Sequence, residues 1–250
     1  MRLEDITIGR CLSQGWEAFK PFMWLAIGAY ALYQICAYAL QSIPVVNVLF
    51  FILAYYPLAG GLYTLFLRII TRESPRLEIL FSGFAGNWAR WMGVGWLLVW
   101  YMFVATVACA VLPAILAAAA YFAFGEESAI FIALLVFACL GYIVLFISVT
   151  MRWLFTFYIA AEGATARAAI AQSTEMTRGI KLKLVWITLV LGLVGASGII
   201  ALGVGLFFTI PLCIFAGFVL YFDVKRLKIG GGIDSQPQSS QEPPTPLCNE

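Results

Sequence analysis

Residues 184–222 form a run of 39 residues without a single charged side chain. One helix of that length would extend about 58 Å at about 1.5 Å per residue, more than tilting absorbs in a hydrocarbon core about 30 Å thick. The run therefore divides into two helices, with the turn near residues 198–205, where glycines gather. Four more apolar runs, 22–41, 45–70, 91–124 and 129–150, are long enough to cross the same core. Ser42, Ile43 and Pro44 separate the first two, and Gly125, Glu126 and Glu127 separate the next two. The expectation is an all-α polytopic membrane protein, six transmembrane helices arranged as three hairpins. Composition agrees: 63% of residues are hydrophobic and 11% charged, against roughly 45–50% and 25% in globular domains. A soluble fold could not cover so much apolar surface.

The basic residues give these spans a direction. None of the 15 lysines and arginines falls in residues 42–44, 125–128 or 203–205, the segments expected outside. All lie on the other side: Arg2, Arg10 and Lys20; Arg68, Arg72, Arg76 and Arg90; Arg152, Arg167, Arg178, Lys181 and Lys183; Lys225, Arg226 and Lys228. A bias of this kind places the basic side in the cytoplasm. Both termini are expected there. The triplet Ala37-Tyr38-Ala39 loosely fits a signal-peptide cleavage site, but Glu4, Asp5 and Glu17 precede the apolar run, whereas a signal begins short and basic.

Several function classes lose their chemistry here. A net charge of +2 offers no electrostatic footprint for nucleic acid. Histidine is absent, and with it the commonest general base and zinc ligand. The six cysteines show no C-x-x-C spacing and read as small apolar residues. There is no G-x-S-x-G, P-loop or H-E-x-x-H sequence, and no aspartate-rich lipid-phosphate motif. No catalytic, cofactor-binding or metal-binding residue is therefore designated, and no cofactor is expected. An embedded enzyme would need Glu162, Glu175 and Asp223 to gather around a metal.

The three cytoplasmic approaches to the hairpins look alike. In the first, Ile8, Leu12, Trp16 and Phe19 form an apolar stripe opposite Arg10, Gln14 and Glu17. In the second, Leu77, Leu80, Phe81, Phe84 and Trp88 keep helical spacing beside Arg76 and Glu78. The third carries a weaker stripe of Ala169, Ser173, Met176 and Ile180. Each holds one serine (Ser13, Ser82, Ser173), and each is expected to be an interfacial amphipathic helix lying at the headgroups. A threefold internal repeat, 6–70, 75–150 and 164–228, would fill the membrane domain 1–228; convergence on basic and aromatic anchors would look the same. Residues 229–250, rich in Gly, Gln, Ser and Pro, read as a disordered cytoplasmic tail.

Within the spans no central position is ionisable; Glu162 and Asp223 lie near ends. The remaining polar groups, Gln34, Asn47, Thr64, Thr106, Thr188, Ser197 and Thr209, usually bond between helices or to their own backbone. Pro57 with Gly60 and Gly61, Pro113 and Pro211 interrupt three spans, as kinks or as the lining of a cavity. Ser197, Ala201 and Gly205 keep a small-xxx-small spacing for close helix contact.

Four segments, ITIGRCLSQGWEAFK, PRLEILFSGF, STEMTRGIKLKLVW and GVGLFFTIPLCIFAGFVLYFDVKR, frame residues 6–226. Their order and spacing resemble a broad group of uncharacterised bacterial six-span membrane proteins. The group includes YciC-type inner-membrane proteins and the membrane domain fused to some glycerophosphoryl diester phosphodiesterases. Catalysis in those phosphodiesterases belongs to a soluble barrel with no counterpart in these residues, so the resemblance implies a fold and a location in the bacterial plasma membrane and no catalytic residue. The functional expectation is a non-enzymatic accessory or scaffold protein of the envelope. Its partners would be membrane lipids, with a protein partner or a second copy also open. The alternative is a transporter or flippase for a lipid-like or uncharged molecule.

Overall fold

The structure, a computed structural model, describes residues 6–41, 50, 52–124, 129–199, 203 and 205–233. Among these every regular element is helical. Helix α1 (Ile8–Phe19) starts at Thr7, whose side-chain oxygen accepts the Arg10 N–H at 3.4 Å, an N-cap bond for an otherwise orphan donor. A 3-10 turn, Lys20–Phe22, carries Pro21 and leads into α2 (Met23–Gln41). Then come α3 (Tyr55–Ile70), a second 3-10 turn (Leu77–Phe81), the long α4 (Trp88–Phe124) and α5 (Ala129–Thr150). A third 3-10 turn (Met151–Trp153) precedes α6 (Thr156–Ala161), α7 (Ala166–Thr177), α8 (Lys181–Ser197) and α9 (Leu206–Ile233).

Four stretches are long and apolar enough to cross a membrane: Ile8–Ala39, Trp88–Ile115, Ile132–Ala161 and Leu206–Lys228. A fifth is counted if α7 and α8, bent by 104° where they join, form one span. The second and fifth runs of the sequence are the short ones. α3 has 16 residues and α8 has 17; residues 42–49, which hold the expected Ser42–Pro44 break and Asn47, lie outside the described ones. So do residues 125–128, 200–202, 204 and 234–250. The 39-residue run divides where the glycines predicted, between Ser197 and Leu206. Its halves pack antiparallel, with Thr209 donating to the Gly195 carbonyl at 2.9 Å and the Cys213 thiol to that of Leu191 at 3.2 Å. α9 continues to Ile233, past the expected boundary at 228.

Helix α9 is the centre of the packed part. Phe215, Ala216, Phe218, Tyr221 and Val224 are buried along it. α1 stands lengthwise beside it, antiparallel: Arg10 reaches Asp223, Gly15 abuts Ala216, and Phe19 packs on Phe208 and Phe215. The expected amphipathic helix is thus present and packs on α9. The buried line is Cys11, Gly15 and Phe19, while Trp16 of the expected stripe is 39% exposed. Gly15 is the reason, because a Cβ there would fall 2.9 Å from the Ala216 backbone nitrogen. Only glycine lets the two helices come this close.

The second approach is no α-helix. Its 3-10 turn packs backbone to backbone on α3: a Cβ at Gly61 would overlap the Leu80 carbonyl, and one at Gly83 that of Pro57. Ile79 and Leu80 are buried, while Leu77, Phe81, Phe84 and Trp88 of the expected stripe are exposed. The third approach, α7, buries Ala169, Ser173 and Met176 as its stripe predicted. Ser173 mends the break between α5 and α6: its hydroxyl donates to the Arg152 carbonyl at 2.8 Å and accepts the Phe155 N–H at 3.1 Å. Ser13, by contrast, donates to the carbonyl of Arg10 in its own helix.

α4 and α5 behave differently from the rest. Trp91 and Val94, in the first turns of α4, are buried, and Trp91 occupies the notch left by Gly60 on α3. Farther along, the two helices touch mainly each other, and Phe103, Val144 and Phe137 are 60%, 66% and 77% exposed.

The α1–α9 contact makes a paired prediction within one helix. Gly15→Ala should lower stability by about 1–3 kcal/mol through overpacking. Gly9→Ala, whose Cβ meets nothing within 4 Å, should raise it by about 0.5–1 kcal/mol through helix propensity. Thermal unfolding of both variants in the same detergent measures the contrast.

Candidate functional site

The end of α3 sets the geometry of the site. The Arg72 N–H donates to the Ile69 carbonyl at 3.2 Å and the Glu73 N–H to that of Arg68 at 2.9 Å, the double closure of a Schellman turn. The turn needs a left-handed residue after the cap, a position glycine usually fills. Here it is Arg72, with φ of 59°, the single non-glycine residue at positive φ among the described residues. A side chain in that conformation costs roughly 1–2 kcal/mol.

Arg72 lines a cleft of about 760 Å³ enclosed by α1, the end of α3 and the second half of α9. Pro21, Phe22, Ile69, Ile70, Val219 and Phe222 form apolar walls. Gln14, Glu17, Arg72, Asp223 and Arg226 form the polar part. The 3-10 turn at Lys20–Phe22 brings Phe22 to the wall, and Pro21 suits the first turn because it has no N–H to leave unpaired.

Charge at this end of α9 is arranged by helix periodicity. Positions 221, 223 and 225 alternate between opposite sides of the helix, about 200° apart at each step. On one side Asp223, its side chain 3% exposed, faces the Arg10 guanidinium at 3.4 Å. On the other, Glu162 accepts a hydrogen bond from the Tyr221 hydroxyl at 2.8 Å and another from Lys225 at 2.6 Å. Lys225 also lies 5.5 Å over the Tyr221 ring. Arg72, Arg226 and Glu17 belong to none of the salt bridges among the described residues. The cleft thus carries two arginines with Glu17 and Asp223, and Arg10 and Arg226 both act on Asp223.

The positions singled out in the sequence lie elsewhere. Pro57 stands just past a break in its run: residues 52–53 are helical, Ala54 leaves the helix, and the Ile52 and Leu53 carbonyls accept the indole N–H groups of Trp96 and Trp88 at 3.2 and 2.9 Å; α4 and α9 run through Pro113 and Pro211 as continuous helices. Thr64, Thr106 and Ser197 bond back to the carbonyls of Gly60, Met102 and Val194. Thr188 lines a separate apolar groove of about 250 Å³ between α8 and α9, with Gly192, Gly195 and Gly217. Glu162 and Asp223 are turned to opposite sides of α9, and among the described residues no three His, Cys, Asp or Glu side chains are placed to hold a metal ion. Sequence reasoning grouped Arg72 with Arg76 and Arg90, as bases on which topology or lipid association depends, and not with Arg226. Its pointer was a helix end, Thr71-Arg72-Glu73, that stops without the usual glycine.

Comparison with protein-family models, with curated proteins and with solved structures finds no match.

The Arg10–Asp223 pair is asymmetric, since the Arg10 side chain is 34% exposed and that of Asp223 is 3%. Arg10→Met strands a buried carboxylate and should lower stability by about 1–3 kcal/mol. Asp223→Asn leaves a cation that reaches water and should cost less than half as much. Chemical denaturation of the two variants checks the order.

Proposed function

We propose that the chain is a non-enzymatic integral membrane protein of the bacterial envelope, an accessory or scaffold that associates with lipid. The observation that carries this reading is the bare surface of α4 and α5. Helices that are apolar all round and exposed all round suit hydrocarbon and no other solvent. Phe137, at 77% exposure, and Val144, at 66%, would each sit in water otherwise.

The finer topology, six spans as three hairpins with both termini cytoplasmic, is part of the proposal. α3 and α8, about 24 and 26 Å long at about 1.5 Å per residue, are a few residues short of a core about 30 Å thick. The charge distribution supports the even count, because all 15 bases then share one side. A transporter or flippase would need polar groups free to line a path. Thr64, Thr106, Thr150, Ser197 and Thr209 instead bond to backbone carbonyls.

Reporters sensitive to compartment test the arrangement. One fused after Glu250 should read cytoplasmic and one inserted between Gly125 and Ser128 should read extracytoplasmic. An extracytoplasmic reading at Glu250 would overturn the even count, and a cytoplasmic reading at both sites would overturn the α4–α5 hairpin.

A further inference from the structure

We propose that the cleft between α1, α3 and α9 binds a phosphate-bearing amphiphile. Its phosphate would lie between Arg72 and Arg226 and its first methylenes against Ile70, Val219 and Phe222. This rests on the lipid-associated reading above and names the chemistry of the site.

Three independent observations converge on it. The first is polarity. Apolar side chains line the cleft on the α3 and α9 sides, and a rim of charged residues closes one end. That is the profile of a molecule with an ionic head on a hydrocarbon body. The volume of about 760 Å³ far exceeds an inorganic anion and suits a headgroup with the start of its chains.

The second is charge. The ionisable groups facing the cleft are Glu17 from α1, Arg72 from the end of α3, and Asp223 and Arg226 from α9. Arg10 and Arg226 both act on Asp223, so with Arg10 three guanidinium groups face two carboxylates and one positive charge is left over. The cleft therefore selects an anion. Guanidinium forks match phosphate oxygens two at a time, which gives orientation as well as attraction.

The third is conformation. Arg72 occupies a left-handed position that glycine would hold without strain. A strained residue persists where its side chain is needed, and here that side chain lines the cleft. The strain also provides a clean experiment: Arg72→Gly removes the guanidinium and relieves the backbone together. A merely structural arginine and a binding arginine then give opposite signatures.

The full-length chain, purified in neutral detergent, is titrated with phosphatidylglycerol, with phosphatidylcholine and with inorganic phosphate, bound lipid being counted by native mass spectrometry. One phosphatidylglycerol should be retained per chain, at least tenfold more tightly than phosphatidylcholine. Arg72→Gly and Arg226→Gln should each weaken that binding by about tenfold or more, and Arg72→Lys should fall between. The melting temperature of Arg72→Gly should equal or exceed that of the parent. Equal retention of the two lipids, or full retention by Arg72→Gly, would overturn the proposal. So would inorganic phosphate filling the cleft as tightly as the lipid, since the apolar wall would then contribute nothing. Failure of lipid selectivity while the Glu250 reporter stays cytoplasmic removes the cleft alone and leaves the membrane reading standing.

Discussion

One turn of α9 organises the packed half of this protein. Phe215, Ala216, Gly217 and Phe218 are consecutive, so their side chains point all round the helix, and each direction meets a different neighbour. Phe215 stacks on Phe66 of α3 at 4.9 Å and packs on Phe19 of α1. Ala216 receives Gly15 of α1, Gly217 leaves the notch that Tyr158 of α6 enters, and Phe218 meets Tyr158 edge-on at 4.7 Å. Two small residues set the closeness of approach and two large ones fill what the approach leaves. In hydrocarbon, where no hydrophobic effect draws helices together, such contact is what holds them.

The charged end of α9 depends on that turn. Because Ala216 holds α1 tightly, Arg10 lies opposite Asp223 two turns on; because Gly217 admits Tyr158, the end of α6 places Glu162 beside Tyr221 and Lys225. Both carboxylates are matched by bases from the two sides. α3 is held to the same turn through Phe66, and its end therefore lies over Val219 and Phe222 and opens the cleft. The arginines of the rim are thus positioned by apolar contacts one to three turns away.

These contacts explain which features could be read from the sequence. The helical class and the division of residues 184–222 follow from hydrocarbon thickness and helix rise, which leave one solution. The stripe of α7 was legible because Ala169, Ser173 and Met176 face a neighbour at ordinary distance. The stripe of α1 was legible in part, since Phe19 is buried and Ile8 and Leu12 pack against the core, but the residue that sets the approach, Gly15, has no side chain to read. Leu77–Phe81 keeps helical spacing, yet Gly61 and Gly83 draw it onto the α3 backbone, and a 3-10 turn fits there. Pro57 read as an interruption of the second span, and the helix does break beside it, at Ala54, while Gly60 and Gly61 serve as contact notches. The cleft was invisible for a related reason: it is built from Arg72, Arg226 and Phe222, which the sequence offers only as bases and a span residue. What joins them is a tertiary contact and one left-handed turn.

Function is then narrowed by where fixed polar geometry exists. The α4–α5 pair beyond Val94 presents apolar side chains with few partners, and a ligand there would be held no better than the surrounding lipid. In the packed half the hydroxyls of Thr64, Thr209 and Ser173 are engaged by backbone carbonyls, while that of buried Thr156 has no partner among the described residues. At one end Arg72 and Arg226, outside the salt bridges among the described residues, meet the apolar walls. A protein that moved a headgroup across the bilayer would need cationic groups at successive depths. A pair at one end suits holding a lipid there over passing it through. The proposed accessory or scaffold role asks no more of this packing than bare helices as an anchor and one anion-binding cleft.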